Sequence, residues 1–248
     1  MNCYFGRSSE KVFICLFPVF AALSLLLGAT AKADIYDDFS GKGIDTGKWA
    51  ISDPKDLFSQ PGDGHLHFYS DNSSGLTPAP GGSLISTRSF TTGFFSLNFS
   101  KFSSTNRSPS NQGLGSFAAI GLGTRTKYVR MLRGRVVSER WGYFEANYYD
   151  GTSLHVWYIF TDVTSGQLGL VYDGSTVDFF YNNGMDGWKK LEITGPDTKG
   201  RIVKVTPGWS SPPPLFISGT PGASGLTKFS AESVQFEPVL KAPILHLR

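Results

Sequence analysis

The most diagnostic stretch of this chain is GGSLISTRSFTTGFFSL, residues 81–97. Its Gly-Gly pair predicts a turn, and the residues after it predict a short strand at 83–88. A second strand is predicted to begin at Gly93, where aromatic and apolar side chains can pack on a sheet. Two strands in such close succession, in a chain without long helical periodicity, indicate an all-β fold.

The rest of the chain repeats this pattern of short β-rich segments between Gly, Pro, Asn and Asp turns. The sequence Asp173-Gly174 between two apolar segments predicts a hairpin. Polar or Pro-rich stretches at 71–82, 103–115 and 207–225 are predicted to be loops. Together these signals predict a two-sheet antiparallel β-sandwich. Strands are expected near 35–39, 65–70, 83–88, 93–102, 116–122, 127–133, 135–138, 141–149, 154–161, 167–172, 176–181, 188–193, 201–206 and 231–237.

The first 33 residues have the features of an export signal rather than of a folded domain. Arg7 and Lys11 precede an apolar run, and Ala31-Lys32-Ala33 provides the small residues that a signal peptidase recognises. We therefore expect a signal peptide at 1–33 and a single β-sandwich domain at 34–248. The protein is expected to be secreted or periplasmic, without stable membrane insertion once the signal is removed. Both cysteines lie in the signal, so the sandwich has no disulfide.

Charge argues against a nucleic-acid partner. The formal net charge is +3, and most of it comes from residues 1–33, whereas a nucleic-acid-binding domain is usually strongly basic. One local bias remains, because six basic residues fall between Arg125 and Arg140. This cluster indicates either an anionic partner or ordinary solvated strand faces and edge protection.

The opening of the sandwich carries a family resemblance. Residues 37–41 (DDFSG), Ile44-Asp45 and Lys48-Trp49, together with 81–97, resemble the concanavalin A-like lectin/glucanase superfamily. The resemblance implies a jelly roll that handles carbohydrate, with the last strand, 231–237, pairing beside the first. It also implies that a structural calcium could be held near the terminal strands by three acidic residues, Asp37, Asp38 and Asp45. No other cofactor is expected, and the histidines show no complete metal-site spacing.

Strand alternation predicts one face suited to sugar binding. In 141–149, one side of the strand presents Trp141, Tyr143, Glu145, Asn147 and Tyr149. Aromatic rings and hydrogen-bonding groups together suit sugars, because C–H faces stack on rings and hydroxyl groups need polar partners. A hairpin with the strand 154–161 would bring His155 and Trp157 to the same face. The alternative is that these aromatic residues simply fill the sandwich.

No complete catalytic motif is present. The glucanases of the resembled superfamily carry Glu-x-Asp-x-x-Glu on one strand, and the chain lacks it. Glu139 and Glu145 would stand about 20 Å apart on a strand, too far for a catalytic pair. Lyases with a similar jelly roll need Arg, Asn or Gln, His and Tyr in one cleft. Here the Tyr-Phe motif at Tyr143 precedes His155, which is the wrong order.

The sequence therefore favours a secreted, lectin-like carbohydrate-binding protein whose partner is a polysaccharide or glycan. Candidate ligand-binding residues are Arg130, Arg133, Trp141, Tyr143, Asn147, Tyr149, His155 and Trp157. The two arginines favour an acidic polysaccharide. Two alternatives stay open: a glycoside hydrolase or polysaccharide lyase with an atypical site, and an envelope or matrix structural protein.

Overall fold

Two antiparallel sheets form the protein in the computed structural model, which describes residues 34–72, 81–105, 116–135, 142–193, 201–221 and 225–238. The two sheets hold sixteen of the eighteen described strands, which are numbered in chain order. The larger sheet contains nine strands: β1 (Asp34–Asp37), β3 (Phe58–Ser59), β4 (Leu66–Asn72), β6 (Gly93–Ser104), β11 (Gly166–Tyr172), β12 (Val177–Asn182), β13 (Lys189–Lys190), β16 (Lys204–Val205) and β18 (Gly225–Glu237).

The second sheet has seven strands in the spatial order β10-β9-β8-β7-β17-β5-β2. These are β2 (Trp49–Ser52), β5 (Gly82–Ser89), β7 (Ser116–Thr124), β8 (Lys127–Arg135), β9 (Gly142–Tyr149), β10 (Leu154–Thr161) and β17 (Pro214–Thr220). A two-stranded ribbon of β14 (Glu192–Ile193) and β15 (Arg201–Ile202) completes the fold.

The core consists of the apolar side chains that the two large sheets turn toward each other. Leu97 and Phe229 from the nine-stranded sheet and Ile120, Phe144 and Ile217 from the seven-stranded sheet are almost completely buried in one cluster. Alternate residues of each strand supply this cluster, because successive side chains point to opposite faces. The expected two-sheet antiparallel sandwich of jelly-roll type is confirmed. The predicted signal peptide at 1–33 lies outside the described residues.

The opening motif closes the sandwich and anchors it. β1 pairs antiparallel with β18, with Asp34 opposite Phe236, as the resemblance implies. Asp37 is buried, and its carboxylate accepts hydrogen bonds from Trp49 Nε1 at 2.6 Å and from the Phe39 backbone N at 3.0 Å. The spacing of Asp37, Phe39 and Trp49 therefore serves a buried hydrogen-bond network in this chain.

The segment 207–225, predicted as a loop, contains a central strand instead. β17 lies between β7 and β5, and it is hydrogen-bonded to both. Pro214 is tolerated because it is the first residue of the strand, where the register shifts and Leu215 N bonds to the side chain of Ser86. After the prolines, PLFISGT alternates between buried and outward residues. This alternation is the strand signal that the Pro-rich flank concealed.

The predicted Asp173-Gly174 hairpin is confirmed. β11 and β12 pair antiparallel from Tyr172↔Val177 onward. Gly174 has a φ of 97°, a conformation that L-residues with side chains rarely adopt. Asp173 Oδ1 accepts hydrogen bonds from the backbone N of Ser175 and Thr176, which fixes the turn.

Candidate functional site

The outer face of the seven-stranded sheet is the face turned away from the core, and it carries four of the eight predicted sugar-binding residues: Arg130, Tyr143, Asn147 and Tyr149. β9 places Tyr143, Glu145, Asn147 and Tyr149 there, while Phe144 and Ala146 enter the core. Cross-strand pairing extends the face sideways, because directly opposed residues point the same way. Its members include Phe117, Tyr128, Arg130, Leu132, Tyr143, Glu145, Asn147, Tyr149, Leu154, Val156, Tyr158, Phe160, Ser83, Ile85, Phe216 and Ser218.

A polar network lies at the centre of this outer face. Arg130 Nε donates a hydrogen bond to Asn147 Oδ1 at 2.7 Å, and Asn147 Nδ2 donates to Glu145 Oε1 at 2.5 Å. Asn147 is completely buried, and its amide oxygen and nitrogen each have a partner. The amide therefore fixes the positions of the Arg130 and Glu145 side chains relative to each other. The guanidinium of Arg130 also lies 4.4 Å above the centre of the Phe117 ring.

Burial perturbs both charged members of this network. Desolvation, the largest effect, raises the pKa of the Glu145 carboxyl, and the Asn147 hydrogen bond and the charge of Arg130 offset it only in part. Desolvation also lowers the pKa of Arg130, although an arginine remains charged at physiological pH. Such perturbed charged groups occur at functional sites and also in structural networks.

Aromatic rings flank the network on both sides. Tyr128 lies between Tyr149, at a centroid distance of 5.6 Å, and Phe216, at 6.2 Å. On the other side Tyr158 lies 5.5 Å from Phe160, and both side chains are about half exposed, at 49% and 58%. The outer face thus offers flat rings next to hydrogen-bonding groups, the combination that sugar recognition requires.

A pocket of about 180 Å³ opens on this face between β5, β17, β7 and β8. Phe117, Tyr128 and Phe216 contribute its aromatic walls, and Arg125 and Arg130 contribute its two charged groups. Ser218 also lines it, and the buried hydroxyl of Ser218 has no hydrogen-bond partner within the described part of the chain. Gly121 lets Phe216 lie close to the sheet, because a side chain there would overlap the Phe216 ring.

The prediction that His155 and Trp157 share a face with Asn147 and Tyr149 is wrong. In the β9–β10 hairpin Leu154 is opposite Tyr149, so His155 falls opposite Tyr148 on the core-side face. There His155 stacks between Tyr148 and Trp157 at 5.6 and 6.1 Å. The four-residue turn sets this register, and the Asp150 side chain holds it through hydrogen bonds from the backbone of Thr152 and Ser153.

Arg133 is also on the other side of the sheet from Arg130. The two residues are three positions apart on β8, and an odd separation on a strand places side chains on opposite faces. Arg133 is 3% exposed, donates from Nε to Val163 O at 2.8 Å and lies over the Phe102 ring. Burial lowers its pKa to about 10. Arg133 therefore stabilises the sandwich edge and does not reach a ligand on the outer face.

The remaining predicted residues either lie outside the described part of the chain or belong to the proposed calcium site. Trp141, Glu139 and Arg140 lie outside the described residues. The acidic residues proposed for calcium serve local turns: Asp38 accepts from Ser40, and Asp45 accepts from the Gly47 backbone N. Among the described residues, no three Asp, Glu, His or Cys side chains are grouped as metal ligands. Calcium binding by Asp37, Asp38 and Asp45 stays a prediction.

Carboxylates are scarce on this sheet. Across the seven strands, as described, Glu145 is the single acidic residue, whereas five residues are basic. A retaining or inverting glycosidase needs two carboxyl groups, separated by roughly 5–10 Å, across the scissile bond. Among the described strand residues of the outer face, Glu145 supplies one of these two carboxyl groups.

Sequence reasoning missed Phe117, Tyr128, Phe216 and Ser218. Tyr128 and Arg130 are two residues apart on one strand, so alternation already placed them on one face. Phe216 and Ser218 lie within 207–225, whose Pro-rich composition predicts a loop rather than the strand that the structure has there. Phe117 could be connected to Arg130 only through the pairing of β7 with β8.

Comparisons with solved structures identify the fold. The GH43 protein BlXynB from Bacillus licheniformis matches with a TM-score of 0.56 at 14% identity, over 81% of this chain and 38% of that one. The Bacillus licheniformis β-glucanase matches with a TM-score of 0.52 at 11% identity, over 84% and 99%. The CBM2 module of Dit from Lactobacillus casei BL23 phage J-1 matches with a TM-score of 0.53 at 15% identity, over 83% and 95%.

These likenesses confirm the concanavalin A-like jelly roll, a fold shared with glycoside hydrolases. The chain spans about 38% of the length of the GH43 protein, whereas it spans nearly all of the glucanase. No protein-family model and no curated protein matches the chain. Within the described residues, no helix has the length and apolar character needed to cross a membrane.

Proposed function

We propose that this protein is an exported carbohydrate-binding protein that holds a polysaccharide along the outer face of its seven-stranded sheet. The observation that supports this most directly is the composition of that face. Exposed aromatic rings border the Arg130–Asn147–Glu145 network, and Glu145 is the one carboxylate on the described strands of the seven-stranded sheet. Binding groups are therefore present, and the described strands of this sheet do not supply the second carboxyl group of a glycosidase.

The fold neighbours support the substrate class. Two of them carry names of the glycoside hydrolase or glucanase type, and they share this sandwich. Function depends on the side chains of the outer face rather than on the fold, so the proposal is tested on them.

The decisive experiment is binding of purified protein to soluble polysaccharides, measured by affinity electrophoresis and calorimetry. Tyr158→Ala should weaken binding by about fivefold or more, because the packing of a sugar C–H face on the tyrosine ring is lost. Tyr69→Ala is the matched control, since Tyr69 is similarly exposed, at 56%, but belongs to the nine-stranded sheet. Equal effects of the two substitutions would contradict binding at the outer face.

One observation supports an enzymatic alternative. Glu145 is a partly buried carboxyl with a raised pKa, which is the property of a general acid. A hydrolase acting through Glu145 would release new reducing ends, and a lyase would release unsaturated sugars that absorb ultraviolet light. If either product forms and Glu145→Gln abolishes it, the protein is an enzyme and the binding proposal is wrong. Binding without any product would support the binding proposal.

A further inference from the structure

We propose that the pocket between β5, β17, β7 and β8 is a subsite for an acidic sugar unit, a ring that carries a carboxylate or a sulfate group. This inference rests on the proposed function, because it assumes that a glycan lies on the outer face. It adds the chemical class of the ligand and the residues that select it. Arg130 and Arg125 would bind the anion, and Ser218 would bind a neighbouring oxygen.

The charges of the pocket favour an anion. Both charged side chains among its lining residues are arginines, and no carboxylate of the described residues lines it. Arg130 uses Nε for Asn147, while its two terminal nitrogens make no hydrogen bond within the described part of the chain. The Arg130 side chain is partly exposed, and a guanidinium can donate the paired hydrogen bonds that a carboxylate or sulfate accepts.

The position of Arg130 is fixed before any ligand arrives. Asn147 holds Nε at 2.7 Å, and the rings of Phe117 and Tyr128 lie 4.4 and 5.2 Å from the guanidinium carbon. A guanidinium held in this way loses little conformational entropy on binding. Burial of the same group strengthens its attraction to an anion, because charges interact more strongly where water is excluded.

Ser218 provides a second, independent indication of a ligand. Its side chain is 7% exposed, it lines the pocket, and its hydroxyl has no partner among the described residues. Leaving a buried hydroxyl unbonded costs about 1–3 kcal/mol. A sugar hydroxyl or an anionic oxygen in the pocket would satisfy it.

The size and walls of the pocket suit one sugar unit. Its volume of about 180 Å³ is below the roughly 300–1,000 Å³ of sites for drug-sized ligands. Tyr128 and Phe216 form an apolar wall against which a ring can pack. The remaining units of a polysaccharide would then extend over the rest of the outer face.

The test compares four probes with the full-length protein: polygalacturonate, alginate, dextran sulfate and neutral dextran. We expect at least one acidic polymer to bind at least tenfold more tightly than dextran, with affinity falling as salt rises. The carboxylated and sulfated polymers distinguish the two sources of the anion. Preference for either supports the subsite.

Three variants locate the binding. Ser218→Ala removes an unbonded hydroxyl, so it should fold normally and weaken the acidic ligand by about fivefold. Arg125→Gln should weaken it by about tenfold or less, since Arg125 is exposed. Lys228→Gln is the matched control, because it removes one positive charge from the nine-stranded sheet and should change affinity by less than about twofold.

Two results would overturn the subsite, and they are distinguishable. Equal binding of dextran and the acidic polymers, or an acidic ligand insensitive to Ser218→Ala and Arg125→Gln, rejects the subsite and leaves glycan binding intact. Absence of binding to all four polymers, in a protein whose thermal unfolding is cooperative, rejects the subsite and counts against the proposed function as well.

Discussion

At the scale of single residues, the buried carboxylate of Asp37 explains why the opening motif of the sandwich has its spacing. Its two oxygens bond Trp49 Nε1 and the Phe39 backbone N, and Lys48 Nζ lies 3.5 Å away. Phe39 is held at a φ of 52°, a conformation that needs such support in a residue with a side chain. The motif therefore stabilises the folded sandwich through this hydrogen-bond network.

Trp49→Phe should therefore lower the free energy of unfolding by about 2–4 kcal/mol. The substitution removes volume from a fully buried site and leaves a buried oxygen of Asp37 without its indole donor. Trp209→Phe is the control, since Trp209 Nε1 is without a hydrogen-bond partner in the described residues. Denaturant titration checks both, and an equal cost would contradict the importance of the Asp37 bond.

Because Glu145 is largely buried, its ionisation should lower the stability of the protein as pH rises. Burial raises its pKa in the folded protein above that in the unfolded chain, so folding favours the protonated form. Its contribution is most favourable below the unfolded pKa, about 4.3, and is lost as pH rises through the higher folded value.

Glu145→Gln removes this dependence while keeping an oxygen that can accept from Asn147. The variant should be more stable than the natural protein at pH 8, with the difference vanishing near pH 4. Denaturant titration at the two pH values measures it. A variant that is less stable at pH 8 would show that the charge of Glu145 is net stabilising, through Arg130.

At the scale of elements, β17 has the largest effect on the site. It is a central strand of the seven-stranded sheet, and it sends Ile217 into the core and Phe216 and Ser218 to the outer face. Without β17, β7 and β5 would have no common neighbour, and the pocket would lose one wall.

Ile217→Ala should cost about 2–5 kcal/mol, the range for truncating a fully buried aliphatic side chain. Ile51→Ala, on the edge strand β2, is the control, because Ile51 is 49% exposed and its loss should cost less than about 1 kcal/mol. Thermal or chemical unfolding compares them. A small effect at Ile217 would mean that 214–220 behaves as the loop that its prolines indicated.

The hairpin of β9 and β10 shows how much one register changes. Alternation predicts which residues share a face within each strand, but the face of β10 that meets Asn147 depends on the length of the turn. Because Leu154 is opposite Tyr149, the outer face gains Tyr158 and Phe160 in place of His155 and Trp157. An error of one residue in register exchanges the two faces of a strand.

At the scale of the whole molecule, the predicted signal peptide ends directly before Asp34, the first residue that the structure describes. Asp34 belongs to β1 and pairs with Phe236 of β18. Cleavage after Ala33 would leave residues Asp34–Asp37 in place for this pairing.

N-terminal sequencing of the exported protein should consequently begin at Asp34. A chain that starts at Asp34 should have the same Tm as the exported protein, and one that starts at Asp38 should have a lower Tm because it lacks β1 and the Asp37–Trp49 bond. Retention of residues 1–33 in the exported protein would refute the predicted signal.

Local patterns were sufficient for the sandwich and for most of its strands. Alternation, turn residues such as Asp173-Gly174 and the absence of helical periodicity are properties of neighbouring residues, and they could be read without knowing the fold. The same patterns placed Tyr143, Asn147 and Tyr149 on one side of β9, as the structure has them.

Tertiary pairing alone decided which strands and faces meet. Arg130 approaches Asn147 and Phe117, and Phe216 approaches Tyr128, across separations of 17, 13 and 88 residues along the chain. Such contacts depend on register and strand order, which arise from packing the whole core rather than from any local preference. For that reason the sequence indicated Arg130 and the basic cluster that begins at Arg125, but only the pairing of β5, β17, β7 and β8 placed both arginines in one pocket.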